Sequence, residues 1–64
     1  MSDAPIYVPL ADQVACIERE IRLRERIYPR WIIDGRLSLT KAEQEMKAIR
    51  AVRDTLAEQR ERLP

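Results

Sequence analysis

One glycine divides this chain of 64 residues. Gly35 stands in the run Asp34-Gly35-Arg36, and the stretches on either side are rich in strong helix formers. Glycine adopts the left-handed backbone conformation at little cost, so it commonly sits just past a helix C-terminus. Ser38 and Thr40 follow, and both residue types cap helix N-termini. Thr40-Lys41-Ala42-Glu43 matches a capping box, whereas Ser38 starts the second helix earlier. The spacing predicts an all-α fold. Two helices of similar length fold back on each other at the glycine, antiparallel because the connection is short.

Helix 1 is expected over about 10–33, with Pro9 at its start, where the missing N–H costs nothing. Leu10, Val14, Ile17, Ile21 and Tyr28 recur at helical spacing, and Cys16, Leu23, Ile27 and Trp31 form a second stripe beside them. Gln13, Glu20 and Arg24 interrupt this wide apolar face. The opposite side carries a basic row, Arg19, Arg22, Arg26 and Arg30. Glu18–Arg22 and Glu20–Arg24 are i,i+4 pairs in the favourable order. Pro29 removes one backbone donor, so a kink is expected near Glu25–Tyr28; the helix should continue, because Trp31 and Ile32 keep the apolar phase. Helix 2 is expected over about 38–62 with a single stripe, Ala42, Met46, Ile49, Val52, Leu56 and Leu63. Residues 1–9 hold Pro5 and Pro9 around Ile6-Tyr7-Val8 and read as an extended arm. Tyr7 and Val8 either dock on the helices or fray.

Each helix is about 36 Å long. Counting outward from the turn sets Trp31 near Ala42, Tyr28 near Met46, Ile21 near Val52 and Leu10 near Leu63. It also sets Glu20 near Arg53 and Arg24 near Glu45. Helix 2 covers one stripe, and helix 1 carries two. Leu23, Ile27 and part of Trp31 are then left in water, a patch of the kind that marks an interface. A single core this small seldom supplies more than ~3–5 kcal/mol and needs a staple. Cys16, the one cysteine, has no partner for an internal disulfide, and the chain has no histidine for a zinc site. Self-association into a homodimer, a four-helix bundle, is therefore expected, the alternative being that the patch is kept for a different protein.

The same reasoning weighs the chemistry. Cys16 has no candidate base, the carboxylates of helix 1 do not pair in a cleft, and one glycine builds no phosphate loop. The reading is a non-enzymatic protein with no cofactor and no metal. Arg26-Ile27-Tyr28-Pro29-Arg30-Trp31 concentrates the residue types enriched at binding hot spots. A protein interface is expected at Leu23, Ile27, Tyr28, Arg30 and Trp31, and the bland reading makes Tyr28 and Trp31 core residues sealing the turn end. The alternative function is nucleic-acid binding through Arg19, Arg22, Arg26, Arg30 and Arg36. A net charge of +1 and the lack of a base-reading motif weigh against it. No apolar run approaches the ~18 residues that cross a bilayer, and the polar faces mix both signs, so no membrane role is expected. Met1-Ser2-Asp3-Ala4-Pro5 lacks the basic and apolar regions of a secretory signal, which points to the cytoplasm.

Tyr7-Val8-Pro9-Leu10-Ala11-Asp12-Gln13, Glu18-Arg19-Glu20, Arg24-Glu25-Arg26-Ile27-Tyr28-Pro29-Arg30-Trp31, Gly35-Arg36-Leu37-Ser38 and Lys41-Ala42-Glu43 together cover most of the chain. They resemble a group of small helical-hairpin proteins encoded in phages and prophages of Proteobacteria. The run from Arg24 to Trp31 is the most particular part of that likeness. The resemblance brings no activity and no functional residue. It implies a bacterial or phage origin, a bacterial cytoplasm as the setting, and an accessory role of modulating or inhibiting a host or phage protein. Gly35-Arg36-Leu37-Ser38 also resembles the turn of short helical-hairpin oligomerisation modules.

Overall fold

The computed structural model of the chain describes residues 7–63. Two helices occupy nearly all of it: α1, Leu10–Ile33, and α2, Leu39–Arg62, each of 24 residues. They pack against each other as the hairpin expected from the glycine. Residues 1–6, most of the expected arm, lie outside the described residues.

The turn is closed by backbone chemistry centred on Gly35, which has φ +74°. The Arg36 N–H donates to the Trp31 carbonyl at 2.8 Å, and the Gly35 N–H donates to the Ile32 carbonyl at 3.1 Å. These are the two reversed bonds of a Schellman closure, which satisfy carbonyls that the helix end would otherwise orphan. Ser38, in extended backbone, then starts α2, and its Oγ accepts from the Lys41 N–H at 3.0 Å. Of the two cap candidates Ser38 is the one used, and Thr40 lies inside the first turn of α2.

At the other end Pro9 is the N-cap of α1 and offers no side-chain acceptor. Its carbonyl takes the Asp12 and Gln13 N–H groups at 3.0 and 3.1 Å. The Gln13 side chain donates to the Val8 carbonyl at 2.8 Å and holds the chain entering the helix. Tyr7 and Val8 are both exposed. α1 runs unbroken through Pro29, so the proline does not end the helix.

Only Val14 (2% exposed), Ile21 (4%) and Ala42 (5%) are buried apolar residues among those described. Leu10, Ile17 and Tyr28 on α1, and Met46, Ile49 and Leu56 on α2, are half-buried around them. Two helices make one layer, and the molecule is 15 Å along its thinnest axis. Its radius of gyration of 15.3 Å exceeds the roughly 11 Å of a compact domain of this length. Among the described residues there is no second layer to enclose a core.

The register departs from the expected stripe at one residue. Val52 is 47% exposed, while Arg53 beside it is half-buried. Ala42, Met46, Ile49, Arg53 and Leu56 follow the alternating four-and-three step of a helix seam, and Val52 falls one position off it. The aliphatic stem of an arginine can cover apolar surface while its head stays wet. Leu63, expected to close the open end opposite Leu10, is largely exposed.

Candidate interaction surface

Three faces of the hairpin differ in chemistry. The first is a groove of about 830 Å³ between the helices. Tyr28, Pro29 and Ile32 of α1 and Ala42, Met46 and Ala51 of α2 supply its apolar lining. The small Ala42 and Ala51 leave room opposite the Tyr28 ring. A cross-helix ion pair, Arg50 to Glu25 at 3.3 Å, borders it. This groove was not anticipated from the stripes; the pairing of two alanines with Tyr28-Pro29 was the only trace of it in the sequence.

The second face is the edge on the other side of the helix pair. Leu23 is 39% exposed there, and Ile27 and Trp31 are half-buried. None of the three lines the groove. Farther toward the open end, Cys16, Ile17 and Gln13 of α1 and Leu56 of α2 line a smaller depression of about 420 Å³ with Val8. Val52, one turn before Leu56, extends the apolar character along α2. Cys16 is exposed, not folded in as part of a core. It borders the same depression as Leu56 of α2.

The five residues expected to form one protein interface therefore point three ways. Leu23, Ile27 and Trp31 share the edge. Tyr28 turns into the groove, with its ring centroid 5.8 Å from that of Trp31. Arg30 faces outward and is exposed. The tilted Tyr28–Trp31 pair joins groove and edge at the turn end, since i and i+3 side chains meet on a helix surface.

The third face is the basic row. Arg19, Arg22, Arg26 and Arg30 are all exposed and line neither depression. Arg36 is exposed too, but it lies in the turn, past the helix whose periodicity aligns the other four. Among the described residues none of these five guanidiniums has a carboxylate within 4.0 Å; Lys47 and Arg60 are the other two such cations. The carboxylates go elsewhere. Glu20 pairs with Arg24 at 2.7 Å, as the i,i+4 spacing predicts, and Glu25 crosses to Arg50. The expected Glu18–Arg22 pair is not formed. Arg24 and Arg53 also do not take the cross-helix partners expected for them: Arg53 pairs with Asp54, and Glu45 with Lys41. Short-range partners win because they require less ordering of two long side chains. Arg24 donates as well to the Glu20 carbonyl at 3.2 Å. Its pKa is raised above the ordinary value, chiefly by the hydrogen bond to Glu20, which leaves an already permanent cation charged.

Among the described residues no group of three or more His, Cys, Asp or Glu side chains is placed to hold a metal ion, and no helix is long and apolar enough to cross a membrane. The fold and its faces define a two-helix hairpin with an apolar edge, an interhelical groove and an outward arginine row. Comparison with protein-family models, curated proteins and solved structures gives no match.

Proposed function

We propose that this chain is a non-enzymatic accessory protein that works by protein–protein contact and associates with itself through the edge carrying Leu23, Ile27 and Trp31. Such a role fits the phage or prophage origin that the sequence resemblance implies, in a bacterial cytoplasm, with a host or phage protein as the target to be modulated. The observation that carries the reading is the imbalance between buried and half-buried apolar residues. Among the described residues three small or medium side chains form the buried set, while Leu23, Ile27, Trp31 and Val52 remain partly in water. A chain of this size needs a staple; its single cysteine allows no internal disulfide, and the described residues form no second layer. A second hairpin laid on the edge supplies that layer and makes a four-helix bundle. The groove beside Tyr28 and Pro29 stays open in that arrangement and is left for the target protein.

Sedimentation at tens of micromolar tests the reading. The 7.6 kDa chain is expected to run at about twice its mass. Leu23→Glu combined with Ile27→Glu puts charge on the edge and is expected to shift the equilibrium toward monomer by at least 100-fold, since each apolar side chain withheld from burial forfeits about 1.5–3 kcal/mol. Circular dichroism at the same concentration reports whether the helices persist. A wild-type chain that stays strictly monomeric would sink the self-association.

A further inference from the structure

The arginine row lies on the side of α1 away from α2 and takes no part in either depression. Its members step by three, four and four residues, so they align in one stripe about 16 Å long at 1.5 Å per residue. All four are arginines, whose planar forks grip phosphate in two places where a lysine offers a point charge. The local carboxylates Glu20 and Glu25 are turned to Arg24 and Arg50, Glu18 stands one turn before Arg22 without pairing with it, and Asp12 and Asp34 stand near the ends of the stripe. A straight, unpaired line of four guanidiniums calls for a ligand with regularly repeated negative charge. Guanidinium contacts to phosphate oxygens fix position on a duplex and carry no sequence information.

We propose that Arg19, Arg22, Arg26 and Arg30 form a contact strip for the sugar–phosphate backbone of a nucleic-acid duplex, bound without regard to sequence. The strip adjoins the edge, because Leu23 stands four residues after Arg19 and three before Arg26, and Ile27 three before Arg30; it is built from the row alone and not from self-association. A duplex of about 20 base pairs, fluorescently labelled and titrated with the full chain, gives the test by anisotropy. Four phosphate contacts per chain predict a slope of log affinity against log salt near −3.6, a loss of about 150-fold between 50 and 200 mM salt. Arg22→Gln with Arg26→Gln halves the slope, and the loss over the same range falls to about 12-fold. Lys47→Gln with Arg60→Gln removes the same charge off the strip and leaves the slope as it was. All four sites are exposed, so circular dichroism is expected to report unchanged helices. Three results overturn the proposal: no binding at 50 mM salt, equal slopes for the two double variants, or displacement of the duplex by polyglutamate as readily as by unlabelled duplex. The last would reassign the strip to an acidic protein.

Discussion

Gly35 offers the sharpest test of how this hairpin is held. Its φ of +74° lies where an L-residue pays about 1–2 kcal/mol. A Cβ added there meets nothing within 4 Å, so the penalty is backbone strain alone, with no steric share. Against it, alanine restricts the unfolded chain and recovers about 0.4–1 kcal/mol. Gly35→Ala is therefore expected to lose about 1 kcal/mol net, a fall in Tm of about 4–8 °C for a chain of this size. A chain of 64 residues is within reach of chemical synthesis, which allows D-alanine at the same position. For the D-residue this backbone region is relaxed, so only the unfolded-state term remains and Tm is expected to rise by a few degrees. Thermal melts followed by far-ultraviolet circular dichroism decide it, run at one fixed concentration because association shifts Tm by mass action. Shifts of the same sign for L- and D-alanine would refute the argument that chirality at the turn is what glycine supplies.

Two other substitutions test neighbouring claims. Ser38→Ala removes the acceptor of the Lys41 N–H and is expected to cost about 1 kcal/mol, while Thr40→Ala stays within about 0.5 kcal/mol; chemical denaturation with urea measures both, and the reverse order would restore Thr40 as the cap. Pro29→Ala returns the donor that the Glu25 carbonyl lacks and is expected to stabilise α1 by about 2–3 kcal/mol, read as a rise in Tm of order 10 °C; an unchanged or lower Tm would mean that the proline ring contributes packing of equal worth.

The hairpin itself was legible because its determinants are local. Gly35, Ser38 and Pro9 act on the backbone within a few residues, and the boundaries of α1 and α2 fall where those residues put them. What was not legible depends on rotation of one helix against the other. Val52 is apolar and Arg53 charged, yet Arg53 takes the seam, because the phase of α2 is set jointly by Ala42, Met46, Ile49 and Leu56. Cys16 lies on the second apolar stripe of α1, and one partner helix leaves it exposed. The cross-helix ion pair was also misplaced: Glu25 and Arg50 make it, while the anticipated Glu20, Arg24, Glu45 and Arg53 pair along their own helices. Of the expected interface residues, Leu23, Ile27 and Trp31 share the edge, while Tyr28 lines the groove and Arg30 faces outward, because a helix distributes sequence neighbours around its axis.

The connection from Asp34 to Ser38 also sets a tempo. In an antiparallel pair every cross-helix contact is mirrored about the turn, and most contacts of two 24-residue helices lie within one turn of a helix. Proteins dominated by such local contacts fold in microseconds to milliseconds. Closure starts where the chain is shortest and zips toward Leu10 and Leu63, and opening runs back the same way. Amide exchange should follow that order, slowest beside the turn around Tyr28 and Met46 and fastest toward Leu10 and Leu63, so the hairpin behaves as a clasp hinged at one glycine.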